Sequence, residues 1–346
     1  MTRKKLLVAV LLLVTVFAAS QALAFSGRTK WQVTLDSGVT SGIAASGHTL
    51  LLGCETGRFY ALNKDTGSEI WAYKGSSTVK GTPTVIGSNV VFAQGDGTIT
   101  CLKISDGSLV WQNLPIVDED NTLQDGTTAG DGMLFVSRLN GKLQALDQKN
   151  GHLLWTYKAG DQGLRTAPGY GDGFVFLGAY DGIMSIITPH NGKRVNGGGA
   201  GGALNTPVVK NGKVYYSSWD GSVQSVQIKD VIPLWDTKVG DPVTTPPAVG
   251  EGIVAVGTAR GIVAAIDDKS GSLLWKFETN GSSITGTPII EGGLVFVGTE
   301  AGTLYTLDKE TGKPRFNFDA GGSISTNALF DGGVLYFSHG DVHAMQ

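Results

Sequence analysis

Eight glycines recur along the chain about 40 residues apart: Gly57, Gly97, Gly141, Gly182, Gly221, Gly261, Gly302 and Gly340. A tandem period of that length fixes the architecture before any local reading does, because a unit this short cannot bury its own apolar faces and must stack on its neighbours. Two residues after each glycine stands an apolar side chain, from Phe59, Ile99 and Leu143 through to Val342. Five residues after stands another, from Leu62, Leu102 and Leu146 through to Met345. Offsets of two and five differ in parity, so on a strand the two sets point to opposite faces. Both faces are then covered, as in sheets sandwiched between sheets.

An aromatic column has the same period. It holds Trp31, Trp71, Trp111, Trp155, Trp235, Trp275 and Phe316, with Asn196 in the slot between Trp155 and Trp235. Four residues before most of these lies a second glycine, such as Gly67, Gly107 or Gly271, preceded by Asp, Asn, Thr or Ser, which is turn chemistry. Thr82-Pro83, Thr206-Pro207 and Thr287-Pro288 mark where repeats open. Each unit reads as four short strands, the fourth carrying the aromatic. Composition agrees: 51 glycines among 346 residues with only 16% charged residues disfavour helices, whose exposed faces need Lys and Glu. The expected fold is all-β, an eight-bladed β-propeller of four-stranded antiparallel blades over residues 25–346. The last blade is closed by N- and C-terminal strands, because Thr29 to Leu35 supplies a Trp strand with nothing before it and Ser323 to Gln346 supplies three strands without one.

Residues 1–24 have the form of a secretory signal peptide: Arg3, Lys4 and Lys5, an apolar run from Leu6 to Ser20, and Ala22-Leu23-Ala24 before Phe25. An uncleaved anchor is the other reading of that segment. Cleavage implies an exported protein, periplasmic or extracellular, without stable membrane insertion. Cys54 and Cys101 are free to pair in that compartment, but Cys101 holds a repeat position otherwise taken by small residues such as Ala61, Ala145 and Ala265, which favours two buried thiols. A net charge of −3 and no basic stripe argue against nucleic acid.

The unit Leu146-Asp147-Gln148-Lys149-Asn150-Gly151-His152-Leu153-Leu154-Trp155, with Ile266 to Trp275 and Leu62 to Trp71, resembles the PQQ-like β-propeller repeat. In that family the Trp docks neighbouring blades, which implies a structural role for Trp31, Trp71, Trp111, Trp155, Trp235 and Trp275. The resemblance implies one of two functions. One is a non-catalytic, BamB-like scaffold of the outer-membrane protein assembly machinery. The alternative is a quinoprotein dehydrogenase holding PQQ and Ca²⁺ in the central funnel. The chain departs from the dehydrogenases in having no adjacent Cys pair and no long insertions between repeats, and from BamB in having no Cys after the apolar run.

The residues themselves place candidate sites on the face that carries the inter-blade connections and the turns between second and third strands. Arg138, Arg165, Tyr180 and Trp219 are candidate partner anchors there, with Arg260 nearby. Lys80, Asp125, Arg165 and Asn205 form a polar set expected in the funnel. The glycine run 197–202 reads as a linker that leaves blade 4 open. The acidic loop around Asp118, Glu119 and Asp120 lacks an EF-hand spacing. His339 and His343 flank a hairpin turn with no third ligand in view. No hydrolase triad or nucleophile elbow is present. The expectation is a binding scaffold without catalytic residues, contacting protein partners in the cell envelope or an extended ligand.

Overall fold

In a computed structural model, residues 25–114, 122–123, 125–160, 163–324 and 327–346 are described. The proposed signal segment, Asp118, Glu119 and Asp120 lie outside them. Among the described residues there is no helix, and thirty-two strands form eight four-stranded antiparallel sheets. Blades 1 to 7 occupy residues 44–74, 79–113, 127–158, 169–199, 208–238, 248–278 and 289–319. In each, the strands follow one another from the axis outward.

Blade 8 confirms the closure. Its inner strands Leu329–Asp331, Val334–Ser338 and Val342–Met345 come from the C-terminal end, and its outer strand Thr29–Val33 comes from the other. Trp31 pairs with Ala344, Gln32 with His343 and Val33 with Val342. Arg28 and Gln346 exchange two backbone hydrogen bonds of 3.0 and 2.9 Å just beyond the strand ends.

The core lies between blades rather than within them. Val91 and Cys101 of blade 2 pack on Leu134 and Leu146 of blade 3, and Ile253 and Ala255 of blade 6 on Val295 and Val297 of blade 7. The third strands are buried on both faces, as the parity of the columns requires: in Arg58–Asn63 the four central residues are all covered.

The aromatic column joins the layers. In blades 1 to 4, 6 and 7 the turn before the outer strand is closed by an Asp or Asn side chain. The Asp267 carboxylate accepts the N–H groups of Lys269 and Ser270 at 3.1 and 2.7 Å, while the Gly271 N–H donates to the Asp267 carbonyl at 2.9 Å. That turn presents its next carbonyl to the preceding blade. The Trp31, Trp71, Trp111, Trp155, Trp235 and Trp275 indoles donate to the carbonyls of Lys64, Ile104, Gln148, Pro189, Asp268 and Lys309. The indole plane lies on the turn glycine. A Cβ on Gly107 would stand 2.7 Å from Trp71 Cε3, and Gly107 itself sits at φ +71°. Where Asn196 replaces the Trp, the facing glycine of blade 5 is replaced by Val231, strained at φ +54°. Aromatic and glycine are lost together because each exists to fit the other.

Cys54 and Cys101 are both free and buried, on blades 1 and 2. Burial pushes both thiols up to about 11.

Candidate functional site: the funnel mouth

The connections between blades converge on a central cavity of about 480 Å³ that opens on one face. Its floor is built from groups that tie blades together. The Asp125 carboxylate, entering blade 3, accepts from Gly126 N–H at 2.7 Å, from Ala167 N–H of the next connection at 2.9 Å, and from the Thr206 hydroxyl of the one after at 3.1 Å. Across the axis, Asn327 accepts from Thr287 N–H through its amide oxygen, from Ile43 N–H through its carbonyl, and donates to the Thr82 hydroxyl. Asn205 is buried, its amide donating to Ser217 Oγ and the Val243 carbonyl.

The expected funnel set therefore divides. Asp125, Arg165 and Asn205 line the cavity; Lys80 does not, standing instead beside Gly95 in blade 2. Asp125 and Asn205 are structural bridges. Arg165 alone presents an exposed charged group: it makes no hydrogen bond or ion pair among the described residues, and its guanidinium lies 4.8 Å over the centre of the Tyr180 ring.

Tyr180 and Trp219 also line the cavity mouth, each two residues before its column glycine on neighbouring blades 4 and 5. They are 50% and 55% exposed, the most exposed aromatics among the described residues. Trp219 is held at its backbone, donating its N–H to the Ala203 carbonyl at 3.0 Å. Asp220 beside it accepts from Gly201 N–H at 2.9 Å and from Lys238 at 2.7 Å. Burial pushes the Asp220 carboxyl up, but the bonds from Lys238 and Ser222 outweigh it and hold the group well below the usual carboxylate range.

Two expectations are corrected. Arg138 is no surface anchor: it is 1% exposed, donating through Nε to Gln144 and through Nη1 to the Gly97 carbonyl of blade 2 at 3.0 Å. The glycine run is no linker: Gly197, Gly198 and Gly199 belong to the outer strand Arg194–Gly199, and Gly201 and Gly202 are bound to the turn carrying Trp219. Arg260 is exposed beside Asp241 at 3.5 Å.

What sequence reasoning missed are Thr166 and Thr285. They line the same cavity, and their hydroxyl oxygens are shielded from solvent without a hydrogen-bond partner. The His339 and His343 rings lie 4.4 Å apart between centroids, tilted by 33°. Among the described residues no group of three or more His, Cys, Asp or Glu side chains is placed to hold a metal ion.

Among the described residues the donor set does not fit PQQ with Ca²⁺. Of these, Asp125 is the single carboxylate lining the cavity, both of its oxygens are occupied by three donors, and Ca²⁺ takes six to eight oxygen ligands.

A family model described as outer membrane protein assembly factor BamB matches residues 14–124, 116–197, 197–276 and 259–346. The BamB of Moranella endobia (strain PCIT) is 25% identical over 242 residues, covering 62% of this chain and 61% of that protein. The dehydrogenase subunit of the quinone-type alcohol dehydrogenase of Acetobacter aceti is 29% identical over 167 residues, 43% of this chain but 18% of that one. The crystal structure of BamB from Moraxella catarrhalis superposes with a TM-score of 0.80 at 18% identity, covering 92% of this chain and 99% of that one. At that identity the likeness concerns the fold. The chain spans about three fifths of the length of the curated BamB relatives it matches first.

Proposed function

The chain belongs to the BamB-type family of PQQ-like propellers, and from that premise we propose that it is an exported, non-catalytic binding scaffold of the cell envelope, acting by protein–protein contact in outer-membrane protein assembly. Residues 1–24 act as the signal segment, and 25–346 are the working domain in the periplasm or outside the cell. The observation that carries this reading is the pair of half-exposed aromatics, Tyr180 and Trp219, flanking Arg165 on one face of a rigid ring. Aromatic and Arg side chains are the usual energetic anchors of protein interfaces. A backbone fixed by inter-blade hydrogen bonds presents them at little ordering cost. The polar groups of the funnel floor support it from the other side, since Asp125, Asn205 and Asn327 are consumed in bridging blades.

The test is capture of the assembly machinery's subunits from an envelope extract by the wild-type chain and by the Tyr180→Ala/Trp219→Ala double variant. Loss of both anchors weakens capture by about 2 kcal/mol or more, roughly thirtyfold, with the thermal transition unchanged. Undiminished recovery of every subunit overturns the reading.

A further inference from the structure

The funnel mouth holds one charged group that makes no hydrogen bond or ion pair among the described residues, the Arg165 guanidinium. The polar side chains of the floor, Asp125, Asn205 and Asn327, are bonded to neighbouring blades. The guanidinium lies over the Tyr180 ring, and its N–H groups make no hydrogen bond among the described residues. That edge is a planar fork matched to a carboxylate. Beside it Trp219 offers a half-exposed ring on which a flat or apolar body can lie.

We propose that the mouth of the funnel is a binding site for a single carboxylate carried on an aromatic or aliphatic body. The Arg165 fork takes the carboxylate edge-on, and Trp219 and Tyr180 enclose the body. The charge of the cavity sets the class. Among the described lining residues Arg165 is the one cation and Asp125 the one anion, so the lining is neutral overall: a single carboxylate pairs with the Arg165 fork and leaves one net negative charge, and each further charge on a phosphate dianion or a tricarboxylate adds repulsion. Two sources have this chemistry: the C-terminal end of a polypeptide and a free aromatic acid. The inference rests on the contact role proposed above for this face.

The experiment measures fluorescence anisotropy of an N-terminally labelled heptapeptide ending in phenylalanine, prepared as the free acid and as the C-terminal amide, against the full chain. The free acid is expected to bind at least tenfold tighter than the amide. Arg165→Gln removes that preference, bringing acid and amide to equal affinity; Arg165→Lys restores part of it, because the charge returns without the fork. Displacement by N-acetylphenylalanine at the affinity of the peptide assigns the site to free acids; failure to displace, with the acid preference intact, assigns it to polypeptide ends. Equal binding of acid and amide, or an acid preference that survives Arg165→Gln, overturns the proposal. If Tyr180→Ala/Trp219→Ala still abolishes capture of the assembly subunits while acid and amide bind equally, the carboxylate site falls and the scaffold reading stands. An acid preference beside undiminished capture gives the reverse.

Discussion

Acid should loosen the seam where the two ends of the chain meet, and the group responsible is His343. It lies on the strand Val342–Met345, opposite Gln32 of the strand that closes the ring, and is 3% exposed. Its ring stacks on Phe337 at 5.0 Å between centroids and meets the edge of Phe318 of blade 7. Neither ring nitrogen has a hydrogen-bond partner. Burial, and then the neighbouring His339, push the imidazole down from 6.5 to about 4, with Asp341 opposing more weakly. The folded chain therefore holds His343 neutral where the unfolded chain would protonate it. The contribution is fully present above pH 6.5, is lost as pH falls toward 4, and is flat below that. Between pH 7.5 and pH 5 the loss is about 2 kcal/mol. Urea unfolding at both pH values measures it. His343→Leu fills the same slot without nitrogens, so it should be at least as stable as wild type at pH 7.5 and should lose about 2 kcal/mol less on acidification. The difference between the two chains cancels the other histidines and the carboxylates. An unchanged acid slope in the variant would refute the assignment of that window to His343.

Glycine substitutions separate docking from backbone strain. Gly107 and Gly212 have nearly equal φ, +71° and +73°, but only Gly107 faces an indole. Gly212→Ala should cost about 1–2 kcal/mol from the left-handed backbone alone, and Gly107→Ala a further 1–3 kcal/mol or so from overpacking against Trp71, read as the difference in urea midpoint. Equal costs would show that the indole does not need the glycine. Cys54 and Cys101 should resist a thiol reagent at pH 8 in the native chain and react with two equivalents on unfolding, without reductant; fewer than two would mean that they have been oxidised.

The ring was legible because the repeat carries its packing in its spacing. The turn glycine and the indole four residues on encode one inter-blade contact, and the parity of the apolar columns encodes burial on both faces. The misplacement of Arg138 was avoidable on the same logic. It stands three residues before its column glycine, and the residues at that position in the other blades are Cys54, Gln94, Ala179, Ser218, Thr258, Thr299 and Phe337, every one of them buried. Residue type suggested an anchor; register along the strand dictated a buried one. Trp219 and Tyr180, one residue later in the same register, emerge on the surface. Thr166 and Thr285 were not legible. Threonine is frequent in the opening segment of every repeat, and only the assembled ring shows which hydroxyls found a partner: Thr206 reaches Asp125 and Thr244 reaches the Ile284 carbonyl, while those two reach nothing.

Departures from the repeat cluster at one place. Blade 4 has Asn196 where its neighbours have Trp, and three glycines in its outer strand; blade 5 answers with Val231 instead of the turn glycine. Lost docking has to be offset, and it is offset nearer the axis. Phe176, Met184 and Leu204 pack with Val214, Tyr216 and Ile228 in one buried inter-blade layer. The polar contacts gather at the top of the same interface, where Gly201, Gly202 and Ala203 are all bound to the turn carrying Trp219. The result is a joint held from the cavity side rather than from the rim. Consistency across repeats is what a ring needs to close, so a sequence gives it up where another demand competes. Here the departing interface is the one whose mouth carries Tyr180 and Trp219, and beside it Arg165 faces the cavity without a partner. Fold regularity and surface chemistry, read independently, single out the same pair of blades.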